Sequence, residues 1–229
     1  MAHGLFITFE GSEGCGKSTQ AARLAARLEK AGLRVLLTRE PGGTAIGEKI
    51  RDLLQFAPES SAMAPETELL LFEASRSQLV REIIRPALGQ GSVVISDRFF
   101  DSTTVYQGVA RKLEPDTVAL LNNFAAGGDR PDLTVILDLD VATAQTRMLR
   151  RVRPITAVDR MEQEPLEFYE RVRQGYRDLA LREPDRIFVV DGAQSPDTIE
   201  AEIWKVLAAR LPVFAALSQS KFENRNSKI

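Results

Sequence analysis

One cysteine, one histidine and one tryptophan occur in 229 residues. The lone cysteine, Cys15, excludes an intramolecular disulfide framework and a multi-cysteine zinc site. The lone histidine, His3, argues against a histidine-based triad and a histidine-rich metal centre. Neither sign of charge is in excess. Lys and Arg number 30 against 32 Asp and Glu, a net charge of −2, so the strongly basic balance of a nucleic-acid binder is missing. No apolar run approaches the roughly 18 residues of a membrane helix. The opening "MAHGLFITFEG" lacks the basic and long apolar segments of a signal peptide. The expected setting is the cytoplasm, with neither membrane nor nucleic acid as partner. What is present is ordinary for a globular chain. Hydrophobic residues make up 44% and charged ones 27%, so general disorder is not expected. The length suits one large domain or two small ones.

Short apolar runs alternate with helical patterns. Strands are expected at Leu5–Phe9, Arg34–Thr38, Ser92–Ser96, Leu133–Leu139 and Arg186–Val190. A helix is expected over Lys17–Ala31, with Gly32 just past its end. Ile46, Ile50, Leu53 and Leu54 fit helical spacing. Pro65–Leu88 reads as one or two helices that Pro86 ends or kinks. Further helices are expected from Pro115, over Val141–Arg151, over Pro165–Arg182, and from the Ser195-Pro196 cap pair to Arg210. Strands separated by helices imply a mostly parallel sheet covered on both faces. The expected organisation is a single α/β domain over 1–211 and a polar tail over 212–229. Ligands of such sheets bind beyond the carboxyl ends of the strands.

The segment "GSEGCGKST" joins the first strand to the first helix. It contains Gly-x-x-x-x-Gly-Lys-Ser, a phosphate-binding loop. Its glycines allow backbone N–H groups to turn inward on a phosphate chain. Lys17 is suited to the β- and γ-phosphates, and Ser18 to Mg²⁺. Gly11, Ser12, Glu13, Gly14, Cys15, Gly16, Lys17, Ser18 and Thr19 are therefore candidate ATP-binding residues. Cys15 reads as a small residue that fits the loop, with a reactive thiol as the alternative. The loop alone does not fix a reaction, because GTPases, mechanical ATPases and small-molecule kinases share it. The Asn-Lys-x-Asp guanine reader of GTPases is absent.

Two arginines, Arg39 in "TREPGGT" and Arg98 in "SDRFFDSTTVYQG", follow neighbouring strands and could clamp a second phosphate by forked hydrogen bonds. Asp97 could hold Mg²⁺ through water or orient Arg98. Phe72 and Arg76, four apart, share a helix face and could present a ring and a donor to a flat base; Phe72 alone reads more often as core, and the pair makes the two readings even. Arg147, Arg150, Arg151, Arg153 and Arg160 crowd a stretch running off a helix into a loop. Such a run reads as a solvated face or as a closing lid that stabilises a transferring phosphoryl group. A nucleotide switch would need neither the Phe72–Arg76 pair nor a second phosphate clamp.

The ordered set "FEGSEGCGKST", "TREPGGT", "LLFEASRSQLV", "SDRFFDSTTVYQG", "RPDLTVILDL" and "DRME" resembles the thymidylate kinase family over about Leu5–Arg210. The resemblance implies a P-loop NTPase three-layer sandwich: a five-stranded parallel sheet flanked by helices, with an arginine-rich lid at about 148–160. It implies transfer of the γ-phosphoryl of ATP to dTMP with Mg²⁺, in a homodimer. Phe72 would stack on thymine and Arg76 would bond its carbonyl edge. Arg39 and Arg98 would hold the dTMP phosphate, and Glu13 would approach the sugar 3′-hydroxyl. Tyr106 would disfavour a 2′-hydroxyl, and Gln107 with Thr103 or Thr104 would line the base pocket. The loop carries no arginine at Ser12–Cys15, so the chain resembles the bacterial style with catalytic arginines in the lid, Arg153 first, then Arg150 and Arg151, beside Lys17 and Arg98. Phe99 departs from the tyrosine common after "DR". A kinase for another nucleoside monophosphate and a non-kinase switch are the alternatives.

Overall fold

The structure is a computed structural model that describes residues 4–150, 159–211 and 214. Five strands, β1 (Leu5–Glu10), β2 (Val35–Arg39), β3 (Val93–Asp97), β4 (Leu133–Asp138) and β5 (Ile187–Asp191), pair in the order β2-β3-β1-β4-β5. Every pairing is parallel. All five lie within one residue of the sequence-based expectation, because each is a short β-branched and apolar run bounded by turn residues. Burial follows position in the sheet. The central strands β1, β3 and β4 are buried almost end to end, whereas the edge strands β2 and β5 leave Leu37 and Val189 exposed.

Side-chain alternation along the strands divides the core into layers. Ile7, Phe9, Ile95, Val135 and Leu137 face Leu24 and Leu28 of helix α1 (Lys17–Lys30) and Ile203 and Leu207 of α9 (Pro196–Arg210). On the opposite face, Phe6 and Val94 pack with Leu79, Ile84 and Phe99, and Ile136 packs with Phe168, Tyr169, Val172 and Tyr176. Helix α3 (Pro65–Leu79) serves the first of these two clusters and α8 (Leu166–Arg182) the second. The result is a three-layer α/β sandwich. The remaining helices are α2 (Ala45–Gln55), α4 (Arg85–Gly89), α5 (Phe100–Thr103), α6 (Pro115–Ala126) and α7 (Val141–Leu149).

Local chemistry sets the helix ends. Thr44, Asp140 and Ser195 each accept a backbone N–H of the helix that follows, at 3.0, 2.8 and 3.2 Å. Gly127 closes α6 with φ 61°. Some expectations change. Helix α7 ends at Leu149 rather than Arg151, with Arg150 as its cap. Helix α8 starts at Leu166, one residue after Pro165. Pro86 does not end the helical path. A π-turn over Val80–Ile84 widens the hydrogen-bond ladder just before it, and the chain continues helically to Gly89. On α2 the apolar spacing is helical, yet Ile46 and Leu53 are exposed and Gly47, Leu54 and Gln55 are buried.

A buried ion pair anchors the segment after β3. Asp101 on α5 is 1% exposed and receives both terminal nitrogens of Arg186, at 2.7 and 2.9 Å, and the hydroxyl of Thr134 at 3.1 Å. Removing the carboxylate leaves a largely buried guanidinium without its main partner. Asp101→Ala is expected to cost about 3–5 kcal/mol in chemical denaturation; a loss below about 1 kcal/mol would show the pair to be no stronger than a surface one.

Candidate active site

The carboxyl end of central strand β1 runs directly into the phosphate loop. Gly11, Gly14 and Gly16 have φ of +130°, +76° and +103°, a region L side chains rarely occupy. A Cβ at Gly11 would lie 2.5 Å from the Leu137 carbonyl, and one at Gly14 would lie 2.6 Å from the Ala144 carbonyl. The loop thus needs glycine for conformation and for space. Lys17 is buried, and its Nζ donates to the carbonyls of Gly11 at 3.0 Å and Ser12 at 2.7 Å. Cys15 is buried beneath the loop in the main core, which favours the small-residue reading over an accessible thiol. The Ser18 hydroxyl donates to the Asp97 carboxylate across a short bond, bringing together the two residues expected to serve Mg²⁺. Hard oxygen donors at a phosphate loop fit that ion. No cluster of three or more metal-ligating side chains occurs among the described residues.

Arg98 joins this loop to the rest of the site. Its backbone is left-handed, with φ +74°, an uncommon state for arginine that marks a constrained position. Its NH1 donates to the Gly11 carbonyl at 3.2 Å and to Ser102 Oγ at 2.9 Å; its NH2 donates to Glu13 Oε1 at 2.6 Å and to the Tyr106 hydroxyl at 3.2 Å. Tyr106 in turn donates to Glu13 Oε2 at 2.7 Å. Burial works against the charge of Arg98, but Tyr106, Glu13, Tyr176 and Glu10 hold its pKa well above the ordinary arginine value.

Glu10 and Tyr176 are site residues that the motifs did not single out. Glu10 is fully buried and accepts Phe99 N at 2.8 Å, Ser102 Oγ at 2.6 Å and the Tyr176 hydroxyl at 2.8 Å. Burial, and then Asp101, push its pKa up. An acidic residue closing an otherwise apolar strand was the available signal. Phe99 is core: it is fully buried and meets Phe6 edge-on at 4.9 Å.

From the loop a cavity of about 230 Å³ extends past Asp97 and Arg98 to Phe72, Arg76, Thr103, Tyr106 and Gln107. Phe72 is half-buried on its wall and belongs to none of the core clusters among the described residues, so the core reading of Phe72 is not needed. Arg39 lines the cavity while pairing with Glu48 at 2.8 Å. Arg51 on α2 lines it too, with NH1 on the Pro41 carbonyl at 3.0 Å, and its pKa is lowered by burial and then by Arg39. Arg51 was hidden in sequence because a charge on an amphipathic helix reads as a solvated face. Asp159 lines the cavity as well, its pKa pushed up to about 6 by burial, with Glu13 and Glu162 adding to the effect.

Thr103 lines the cavity, but the expectation for Thr104 is corrected. Thr104 bonds the Phe100 carbonyl at 3.1 Å and Asn122 at 3.1 Å and is not on the cavity wall, because adjacent residues of a helical turn face different directions. Arg150 is exposed and also off the wall, while Arg147 reaches the Gly192 carbonyl at 2.9 Å. Arg151 and Arg153 lie outside the described residues, as does most of the tail.

Arg76 is 1% exposed and its donors are engaged. It reaches Glu40 at 2.7 Å, Glu73 at 2.8 Å, Asn122 at 3.0 Å and Thr103 at 2.9 Å. Bonding a base carbonyl therefore requires exchanging one of these partners. Glu40 Oε1 and Glu73 Oε2 are buried without a partner among the described residues. Burial pushes the Glu40 pKa up to about 7, partly opposed by Arg76. A carboxyl whose pKa is higher in the folded state binds its proton more tightly there. Stability is then greatest below the ordinary carboxylate range and falls as pH rises toward 7. The difference in melting temperature between Glu40→Gln and the unmodified chain should shift in favour of the variant from pH 5 to pH 8. A difference that stays flat across this range would mean that Glu40 titrates normally.

Residues 9–203 match the family profile described as thymidylate kinase. The chain is 50% identical over 211 residues to a thymidylate kinase of Geobacter sulfurreducens, covering 91% of this chain and 99% of the relative. It is 48% identical over 210 residues to a thymidylate kinase of Deinococcus radiodurans, covering 92% and 99%. The crystal structure of thymidylate kinase from Ehrlichia chaffeensis superposes with a TM-score of 0.71 at 35% identity, covering 90% of this chain and 99% of that one.

Proposed function

The chain belongs to the thymidylate kinase family and phosphorylates dTMP with ATP as donor, and from that premise we propose how its own residues divide the work. The observation that carries the proposal is that one cavity is lined by Lys17, Phe72, Arg39, Arg51 and Arg98 together. The phosphate loop grips the ATP phosphates. Lys17 exchanges the Gly11 and Ser12 carbonyls for phosphate oxygens. Ser18 and Asp97 hold Mg²⁺, which when bound neutralises charge on the donor phosphates. Arg39, Arg51 and Arg98 hold the dTMP phosphate. Because Arg98 also binds the loop carbonyl of Gly11, it fixes acceptor against donor.

Phe72 stacks on thymine, with Thr103, Gln107 and Arg76 around the base edge. Glu13 approaches the sugar 3′-hydroxyl, and the Tyr106 ring stands where a 2′-hydroxyl would project. Chemistry of this kind needs no strong base; positioning and charge stabilisation carry it. Ser12, Glu13, Gly14 and Cys15 bring no arginine to the loop, so the lid arginines Arg150, Arg151 and Arg153 supply positive charge to the transferring phosphoryl group, Arg153 foremost. The unit 1–211 acts as one domain, in the cytoplasm and as a homodimer. Exposed Ile46 and Leu53 on α2, Phe56 just after it, Leu70 on α3 and Leu120 and Phe124 on α6 support pairing of two copies, because α3 packs on both other helices. No helix among the described residues is long and apolar enough to cross a membrane.

ADP release measured across a panel of nucleoside monophosphates tests the substrate reading. Stimulation should be greatest with dTMP, and an equal response to the other nucleotides would overturn it. Arg153→Ala should lower kcat by about 10³-fold or more while the KM for dTMP moves little. An unchanged kcat would remove Arg153 from the catalytic set.

A further inference from the structure

Glu68 on α3 is 1% exposed and does not line the cavity. It lies behind Gln107, and four donors converge on its carboxylate. Gln107 Nε2 donates to Oε1 at 2.7 Å, Arg111 donates through Nε to Oε1 at 3.2 Å and through NH2 to Oε2 at 3.1 Å, and Arg160 makes a short bond to Oε2. Burial alone would raise the Glu68 pKa, but Arg111, Gln107 and Arg160 hold it below the usual carboxylate value. Glu68 is therefore an anion, and an anionic carboxylate can only accept hydrogen bonds.

That restriction has a consequence for Gln107. A primary amide has one donor end and one acceptor end. The acceptor-only partner takes the donor end, so the orientation of the Gln107 amide follows from chemistry. Gln107 is 2% exposed and lines the cavity. No described residue donates to its Oε1, so the end left for the ligand is the carbonyl. We propose that Glu68 is a specificity-determining positioning residue: it locks the Gln107 carbonyl toward the base and makes the pocket select a pyrimidine carrying N–H at ring position 3. This rests on the reading of the cavity as the thymine site. Thymine presents N3–H to such an oxygen. Cytosine presents an N3 lone pair, setting acceptor against acceptor in a buried site. Uracil shares the thymine edge, so this device does not read the 5-methyl group.

Replacing Glu68 with glutamine keeps the shape but supplies a donor. The new amide oxygen can stay with Arg111 and Arg160, and its nitrogen then faces Gln107. The Gln107 amide can reverse and turn its NH₂ toward the base. In Glu68→Gln the ratio of kcat/KM for dTMP over dCMP should fall by at least about tenfold, while the ratio for dTMP over dUMP stays within about twofold. Arg160→Met loosens the same cluster without touching the Gln107 bond and should leave both ratios unchanged. Should Glu68→Gln fail to fold, Glu68→Asp withdraws the carboxylate from Gln107 while keeping the charge, and the dTMP over dCMP ratio should again fall. A parallel loss for all three nucleotides, or an unaltered dTMP over dCMP ratio in the folded variant, would overturn the role of Glu68. An unmodified protein with no preference for dTMP over dCMP would instead remove the reading of the cavity on which the role rests.

Discussion

The site depends on one guanidinium held in an unfavourable backbone conformation. Arg98 leaves β3 with φ +74° and turns back to touch the Gly11 carbonyl, Glu13, Ser102 and Tyr106. In doing so it joins the phosphate loop after β1 to the helical segment after β3. The bond from Tyr106 to Glu13 ties the same two elements beside it. The left-handed residue is retained because the surroundings over-determine it: Arg98 N donates to the Phe9 carbonyl, and the Arg98 carbonyl accepts from Ser96 Oγ. Glu10 holds the next turn from below through Phe99 N and Ser102.

Behind the cavity, carboxylates and arginines are matched in clusters. Glu40 and Glu73 share Arg76, Glu68 serves Gln107, Arg111 and Arg160, and Asp101 pairs with Arg186. Buried ion pairs of this kind contribute little net stability, because desolvation opposes the attraction between the charges. What they provide here is orientation. Each guanidinium is planar and offers its donors in a fixed fork, so a cluster built around one admits few arrangements. The polar face offered to a nucleotide is set one layer behind the surface that touches it.

The strands were legible because apolar runs of five or six residues bounded by turns have few alternatives in a covered parallel sheet. The phosphate loop was legible because its glycines and Lys17 serve backbone geometry that follows from local order alone. Phe72 and Arg76 were found through their spacing on one helix face and Thr103, Tyr106 and Gln107 through motif resemblance, and all five line one cavity. Arg51, Glu10 and Tyr176 were not found. Each reads locally as an ordinary helix or strand residue, and its importance comes from what lies opposite in space. Thr104 was grouped with Thr103 because sequence adjacency hides the rotation of a helical turn.

By itself, the sequence determined the layer architecture, the position of the phosphate loop between the first strand and the first helix, and the family. Those follow from periodicity, glycine spacing and composition, which act over a few neighbouring residues. Only the tertiary structure decided which threonine lines the cavity, which arginines line it too, and how the donors of Arg76 and the amide of Gln107 are committed. Those depend on contacts between residues tens of positions apart, such as Glu68 with Gln107 and Glu13 with Arg98, and a hydrogen bond's direction is fixed only when both partners are in place.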